Sequence, residues 1–321
     1  MANAARTVYT DTMINGIKSN KTYWLFALLC AGMWGSATVC IKVAYGFFGI
    51  AASDPASQLF MIGVRFMIAG VITELIFGAS TGRLLVPQSK ASWGHALVLT
   101  LTQVVLLYGF YSIGTGNASG TMAVMINGTS TFFTILLSTL LFRTEKMDLK
   151  KALACVIGLA AIAIMNMRGL DEALSFSVMG EGALLVSQLM AGLSNNIMKQ
   201  YSATDEPATL TAWSFLFGGA VLAIIGACMG GRLSASLPGW LVLVYLAFVS
   251  GVAFSIWGLL MRYHTVSKIN IFMLANPLFG VMFSALLLGE AEQVFRVRTF
   301  AALVLICAGI LLVNPPKREK R

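Results

Sequence analysis

Charge is what this sequence has least of. Asp, Glu, Lys and Arg make up 11% of its 321 residues, against about 25% in an ordinary soluble domain, so a water-facing surface cannot be covered. Proline is sparse at 7 residues and histidine sparser at 2, which leaves long helices uninterrupted. The 5 cysteines include no CxxC pair, which argues against zinc ribbons and redox motifs. Cys30, Cys40, Cys155, Cys228 and Cys307 all fall inside apolar runs and read as small packing residues. His95 and His264 build no metal site with them, so no metal or other cofactor is expected. No glycine-rich phosphate loop, Ser/His/Asp set or carboxylate pair stands in a catalytic context. The loops are too short for a nucleotide-binding domain, which speaks against ATP-driven transport, and no enzymatic activity is expected.

What the chain has is apolar length: 58% hydrophobic residues and a mean hydropathy of +0.82. A helix of about 20 apolar residues crosses a hydrocarbon core of about 30 Å. Ten such runs are predicted, at 22–46, 57–79, 93–113, 118–142, 151–167, 181–200, 209–230, 238–261, 268–289 and 298–314. Gly114, Gly116 and Asn117 mark a turn between the third and fourth. The alternating segments of a β-barrel are absent, so the predicted fold class is an all-α polytopic membrane protein. Residues 1–20 lack the compact apolar core of a cleaved leader, and the first run reads as an uncleaved span.

The basic residues give orientation. With the N-terminus inside, 16 of the 22 Lys and Arg fall on the inner side, in the 1–21 tail, alternate loops and the basic 315–321 tail. The opposite side holds Arg168, Arg232, Arg296 and Arg298, while Lys42 and Arg65 lie within spans. The positive-inside rule then places both termini in the cytoplasm of a cell (inner) membrane. It also accounts for the net charge of +9 without nucleic acid as a partner.

Self-comparison shows a duplication. Trp34-Gly35 in the first span resembles Ala191-Gly192 in the sixth at an offset of 157, and Gly82-Arg83-Leu84 matches Gly231-Arg232-Leu233 at 149. Gly94 to Glu145 aligns without a gap to Gly239 to Glu290 at 145. Five spans per half is an odd number, so the halves must be inverted, with residues 22–167 forming one repeat, 168–180 a connector and 181–314 the other. Inverted repeats are characteristic of secondary transporters with a midplane site.

Trp34-Gly35, Arg65-Phe66 and Asn276-Pro277-Leu278-Phe279 leading to Leu288-Gly289-Glu290 give the chain a resemblance to the drug/metabolite transporter superfamily, and within it to the EamA-type exporters. The resemblance covers about residues 22–314. It implies a ten-helix basket around a central cavity and substrates such as amino acids, other small metabolites or drugs. Two departures stand out: Phe132 occupies the place of Pro277 in the first half, and Arg143-Thr144-Glu145 replaces Leu-Gly-Glu.

Mid-span polar groups are costly unless they face protein or water. On that ground Gln103, Tyr111, Asn127, Thr131, Gln188 and Asn276 are candidate substrate-binding residues, with helix–helix glue as the competing role. Trp34 sits too deep for an interfacial belt and is a candidate for stacking on substrate, or simply core; the eighth span brings Ser250 and the candidate Trp257. Arg65 either snorkels outward or lines the cavity mouth. Pro277 is the candidate hinge, since it leaves a carbonyl of the ninth helix unbonded. The sixth span also offers Asn195, which shares a face with Gln188, and Asn196, with a solvated end turn near Lys199 as the competing role. The expected function is export of a small neutral, zwitterionic or amphipathic metabolite by alternating access, the partners being that solute and the bilayer; a homodimer is compatible with it. A lipid-modifying membrane enzyme using His95 and His264, or a channel-like facilitator, is the alternative.

Overall fold

The computed structural model describes residues 13–51, 53–117, 120–166 and 177–288, with single residues and short helical runs between 300 and 312. Every regular element among them is helical. Nine helices correspond to the first nine predicted spans: α1 (Tyr23–Phe48), α2 (Pro55–Thr73), α3 (Lys90–Leu99, continued by Leu107–Asn117), α4 (Gly120–Leu140), α5 (Leu149–Asn166), α6 (Ala183–Tyr201), α7 (Pro207–Cys228), α8 (Leu237–Tyr263) and α9 (Val266–Asn270, continued by Asn276–Leu288). Most of the tenth predicted span, 298–314, lies outside the described residues. Among the described residues, five helices are long and apolar enough to cross a membrane: Tyr23–Phe48, Pro55–Gly78, Lys90–Thr115, Pro207–Cys228 and Leu237–Tyr263. Their outward sides carry exposed Leu75, Ile224 and Leu241, a surface suited to lipid and not to water.

Local sequence sets the helix ends. Asp54 accepts the Ser57 N–H at 3.0 Å with Pro55 beside it at the start of α2, and Ser236 caps the Gly239 N–H at 3.2 Å at the start of α8. α1 stops at Gly49, whose φ of 69° is left-handed. Four stretches among the described residues depart from regular α geometry. π-helical stretches occupy Glu74–Gly78, Thr100–Leu106 and Val178–Gly182, and the 3₁₀ stretch Ile271–Ala275 precedes Asn276. The Asn276 N–H bonds to the Met273 carbonyl, the acceptor that Pro277 has no N–H to reach.

The turn expected at Gly114 does not form there, because the helix runs on to Asn117. Gly114 serves instead as a contact surface: a Cβ on it would lie 2.6 Å from Leu184 Cγ of α6. Other glycines set the helix crossings in related pairs. A Cβ on Gly35 would lie 2.6 Å from Phe279 Cβ, pressing α1 on α9; one on Gly192 would lie 2.8 Å from Thr134 N, pressing α6 on α4. Gly192 is 157 residues after Gly35 and Phe279 is 145 after Thr134, the offsets found in the sequence. In the α2–α7 crossing, Gly70 meets Leu216 and Gly219 meets Met67. Both members of that contact are exchanged by the offset of 149.

One end of the bundle is tied shut by hydrogen bonds. His264 Nε2 lies 2.7 Å from the Ile17 carbonyl, its ring against Tyr23 at 4.6 Å, and Ile17 is fully buried. Burial holds the His264 imidazole below its usual pKa, so it stays neutral there. Lys199 Nζ donates to the carbonyls of His264 (2.8 Å) and Arg262 (3.3 Å). Glu145 receives Lys151 Nζ (2.7 Å), the Ser267 N–H (3.1 Å) and the Ser267 hydroxyl (2.5 Å). Burial alone would raise the Glu145 carboxyl, but these three donors outweigh it and hold its pKa below the ordinary value.

Candidate functional site

A cavity of about 210 Å³ lies between helices of both halves. From the first half, α1 lines it with Trp34, Ala37 and Ile41, α2 with Arg65, α3 with Leu107, Tyr108 and Tyr111, and α4 with Asn127 and Ser130. From the second half come Gln188, Ala191, Ser194 and Asn195 of α6, Phe254 and Trp257 of α8, and Asn270, Met273 and Asn276 of α9. Among the described lining there is no acidic side chain.

Seven of the sequence candidates are brought together here: Trp34, Arg65, Tyr111, Asn127, Gln188, Trp257 and Asn276. Gln103 and Thr131 are placed elsewhere. Gln103 is buried in the π-helical stretch of α3, and the Thr131 hydroxyl faces the Asn270 carbonyl at 3.5 Å. Pro277 follows the lining residue Asn276 and is the second residue of the second piece of α9.

The polar wall is cross-linked between halves. Gln188 Nε2 donates to Asn127 Oδ1 at 3.0 Å, joining α6 to α4. Asn195 is the hub of a second set: it accepts from Trp257 Nε1 (3.2 Å) and donates to Asn270 Oδ1 (3.2 Å). Asn270 Nδ2 is buried and meets no acceptor, an unpaired donor at the cavity wall of a kind that a bound solute can satisfy. The aromatic wall is edge-on: Trp34 meets Trp257 at 5.2 Å and Phe254 at 5.1 Å between ring centroids. Amides on one side and rings on the other suit a solute with a polar head and an apolar body.

Sequence reasoning ranks Asn195 below Gln188, because Lys199 four residues on makes a solvated end turn the competing role, and it does not single out Asn270. Asn195 lines the cavity, and Asn196 is buried, donating to the carbonyls of Thr134 (3.0 Å) and Gly192 (2.9 Å). The nearby lysine is itself drawn inward to the carbonyls at the bundle end.

A larger cavity, about 530 Å³, lies at the tied end among the loops after α2 and α6, with Arg83, Ser92, His95, Asp205 and Arg262 in its wall. His95 Nδ1 is 2.6 Å from Asp205 Oδ2, and Ser92 bonds to the other carboxylate oxygen. Burial alone would raise the Asp205 carboxyl, but hydrogen bonds from Ser92, His95 and Thr204 outweigh it and lower its pKa. The Ser92 hydroxyl donates to the carboxylate and not to the imidazole, so the three groups are not arranged as a Ser–His–Asp relay. His264 is committed to the Ile17 carbonyl at a separate place. The two histidines do not converge on a reaction centre.

Comparison with known proteins gives a consistent picture. The pattern of the EamA-like transporter family matches twice, over residues 21–167 and 178–314. An uncharacterized transporter of Archaeoglobus fulgidus is 23% identical over 306 residues, covering 94% of this chain and all of the relative. The uncharacterized transporter YvbV of Bacillus subtilis is also 23% identical, over 310 residues and 95% of each chain. A protein crystal structure superposes with a TM-score of 0.73 over 92% of this chain and 96% of its own, at 16% identity.

Proposed function

The chain belongs to the EamA-like transporter family, and from that premise we propose that it is a secondary carrier that exports a small amphipathic metabolite by alternating access. The observation that carries this reading is the cavity whose polar and aromatic walls are shared between the two halves. Its 210 Å³ is below the roughly 300–1,000 Å³ of drug-sized sites, which favours a metabolite.

In this reading ten spans form two inverted five-helix repeats, and the tied end faces the cytoplasm with both termini of the chain. The exchange of Gly35–Phe279 for Gly192–Thr134, and of Gly70–Leu216 for Gly219–Met67, supports a two-fold relation between halves. The lining of the cavity by Ala37 and Ile41 in the C-terminal half of α1 supports a state open away from the tied end. Transport then consists of rocking one set of helices so that the tied end opens while the other closes. Binding by groups from both repeats couples the solute to that motion, because each repeat holds only part of the site.

The test is counterflow in proteoliposomes preloaded with pooled small metabolites. Saturable, trans-stimulated uptake is expected. Gln188→Ala and Trp257→Ala each lower it about tenfold, as loss of one well-placed contact of about 1.4 kcal/mol would. Flux that rises linearly with concentration points to a channel, and flux no greater than that of empty vesicles removes the carrier reading.

A further inference from the structure

Arg65 is 3% exposed, yet it forms no ion pair among the described residues. The three ion pairs among those residues, His95–Asp205, Lys151–Glu145 and Arg262–Glu206, are all at the tied end. Among the described residues the guanidinium hydrogen-bonds to neutral oxygens of α8: Nε donates to the Leu246 carbonyl (3.3 Å) and the Ser250 hydroxyl (3.0 Å), and Nη2 donates to Ser250 (2.7 Å). Its remaining neighbours are the Phe66 ring, 5.5 Å from the guanidinium carbon, the phenols of Tyr45, Tyr108 and Tyr111, and the Cys40 thiol. A guanidinium carries five N–H donors, so the Nη1 edge is left for another acceptor.

A buried cation without a counter-ion is costly inside a membrane. The contacts from α8 fix the direction of the fork and do not neutralise it. Arg65 also lines the central cavity. Fork geometry matches a carboxylate, which takes two parallel N–H bonds. With a single arginine, a dianionic head such as a phosphate ester would bring one charge too many. An ammonium finds only neutral amide and hydroxyl oxygens among the described lining.

We propose that Arg65 is the specificity-determining residue of this carrier, and that the cargo is a monocarboxylate whose carboxylate seats on its free edge while its apolar or aromatic body lies against Trp34, Phe254 and Trp257. This deepens the carrier reading and rests on it. The shared chemistry is the carboxylate. A plain aryl carboxylate and a zwitterionic amino acid both present it, and the test separates them.

Four probes of one shape are used with the purified full chain: 3-phenylpropionate, phenylalanine, phenylalaninamide and 2-phenylethyl phosphate. Binding is read by tryptophan fluorescence and flux by counterflow. At least one of the two carboxylates binds about tenfold or more tightly than the amide and the phosphate, and the tighter of the two identifies the cargo type. Arg65→Gln abolishes that preference, whereas Arg65→Lys, which keeps the charge without the fork, retains part of it. Thermal melts and gel filtration accompany each variant. If Arg65→Gln does not fold, the partial loss in Arg65→Lys is the deciding result. Equal binding of amide and carboxylate, preference for the phosphate, or an unchanged preference in both variants overturns the proposal. Continued saturable flux of any probe or of pooled metabolites in those cases leaves the carrier reading standing. Absence of flux for every solute overturns both.

Discussion

Glu145 shows how much one side chain outside the bilayer contributes to the resting arrangement. Its carboxylate receives Lys151 and both donors of Ser267, and so joins the loop after α4 to the start of α9. Glu145→Gln keeps the volume but removes the charge from these bonds, at an expected cost of about 1–3 kcal/mol. The pH sign follows from the lowered carboxyl pKa. The unfolded chain binds the proton first, so the contribution is complete above the ordinary value of 4.5 and is lost as pH falls through the folded value. The melting temperature of the wild type in detergent therefore exceeds that of Glu145→Gln at pH 7, and the gap closes as the medium is acidified below about 4.5. A constant gap across pH would remove the ion pair as its cause. At the same scale, Trp34, Arg65, Asn127 and Gln188 could be picked from the sequence as polar or aromatic groups too deep in a span for the interface. Asn195 was harder to place, because a neighbouring lysine in the chain says nothing about which way that lysine bends, and Asn270 carried no signal of its own.

At the scale of helices, apolar length alone located nine of the elements to within a few residues, because backbone groups in lipid are satisfied only within a helix. Facing was not legible. Helices apolar all round give no stripe from which to read a buried side, and the crossings are set by glycines whose partners lie far along the chain. Gly219 is the clearest case: a Cβ there would lie 2.6 Å from Met67 N of α2. Gly219→Val must push α2 and α7 apart, with a loss of about 1–3 kcal/mol from overpacking, seen as a lower melting temperature and a broadened elution profile. Gly94 and Gly109 have nothing within 4 Å of an added Cβ. Gly94→Ala and Gly109→Ala are expected to be neutral or to stabilise by up to about 1 kcal/mol through helix propensity. Equal damage from all three would mean that the crossing is not the point of sensitivity.

For the whole molecule, the sequence offsets and the recurring contacts describe the same relation from two directions. Offsets of 157, 149 and 145 residues came from order along the chain, while the paired glycine contacts come from positions in space. What the sequence could not supply is how the two repeats interlock, with α1 on α9 and α6 on α4, since that depends on packing between halves and not within one. The proposed topology has a direct test. With ten spans and the tied end inside, a fluorescent protein fused at either terminus glows in intact cells, and an alkaline phosphatase fused at either terminus is inactive. Opposite results at the two termini would require an odd number of spans and remove the inverted repeat.

The two repeats are not perfect copies where it matters most for motion. α9 is interrupted by a 3₁₀ stretch just ahead of Pro277, whereas α4, with Phe132 in the corresponding place, runs unbroken from Gly120 to Leu140. Under the alternating access proposed above, a perfect two-fold would make the inward and outward forms equal in energy, like two sides of a fair coin. On that proposal, one interrupted and one continuous arm lift the degeneracy. An unloaded carrier of the proposed kind then rests facing one compartment, and its cargo must supply the difference in energy before it turns round.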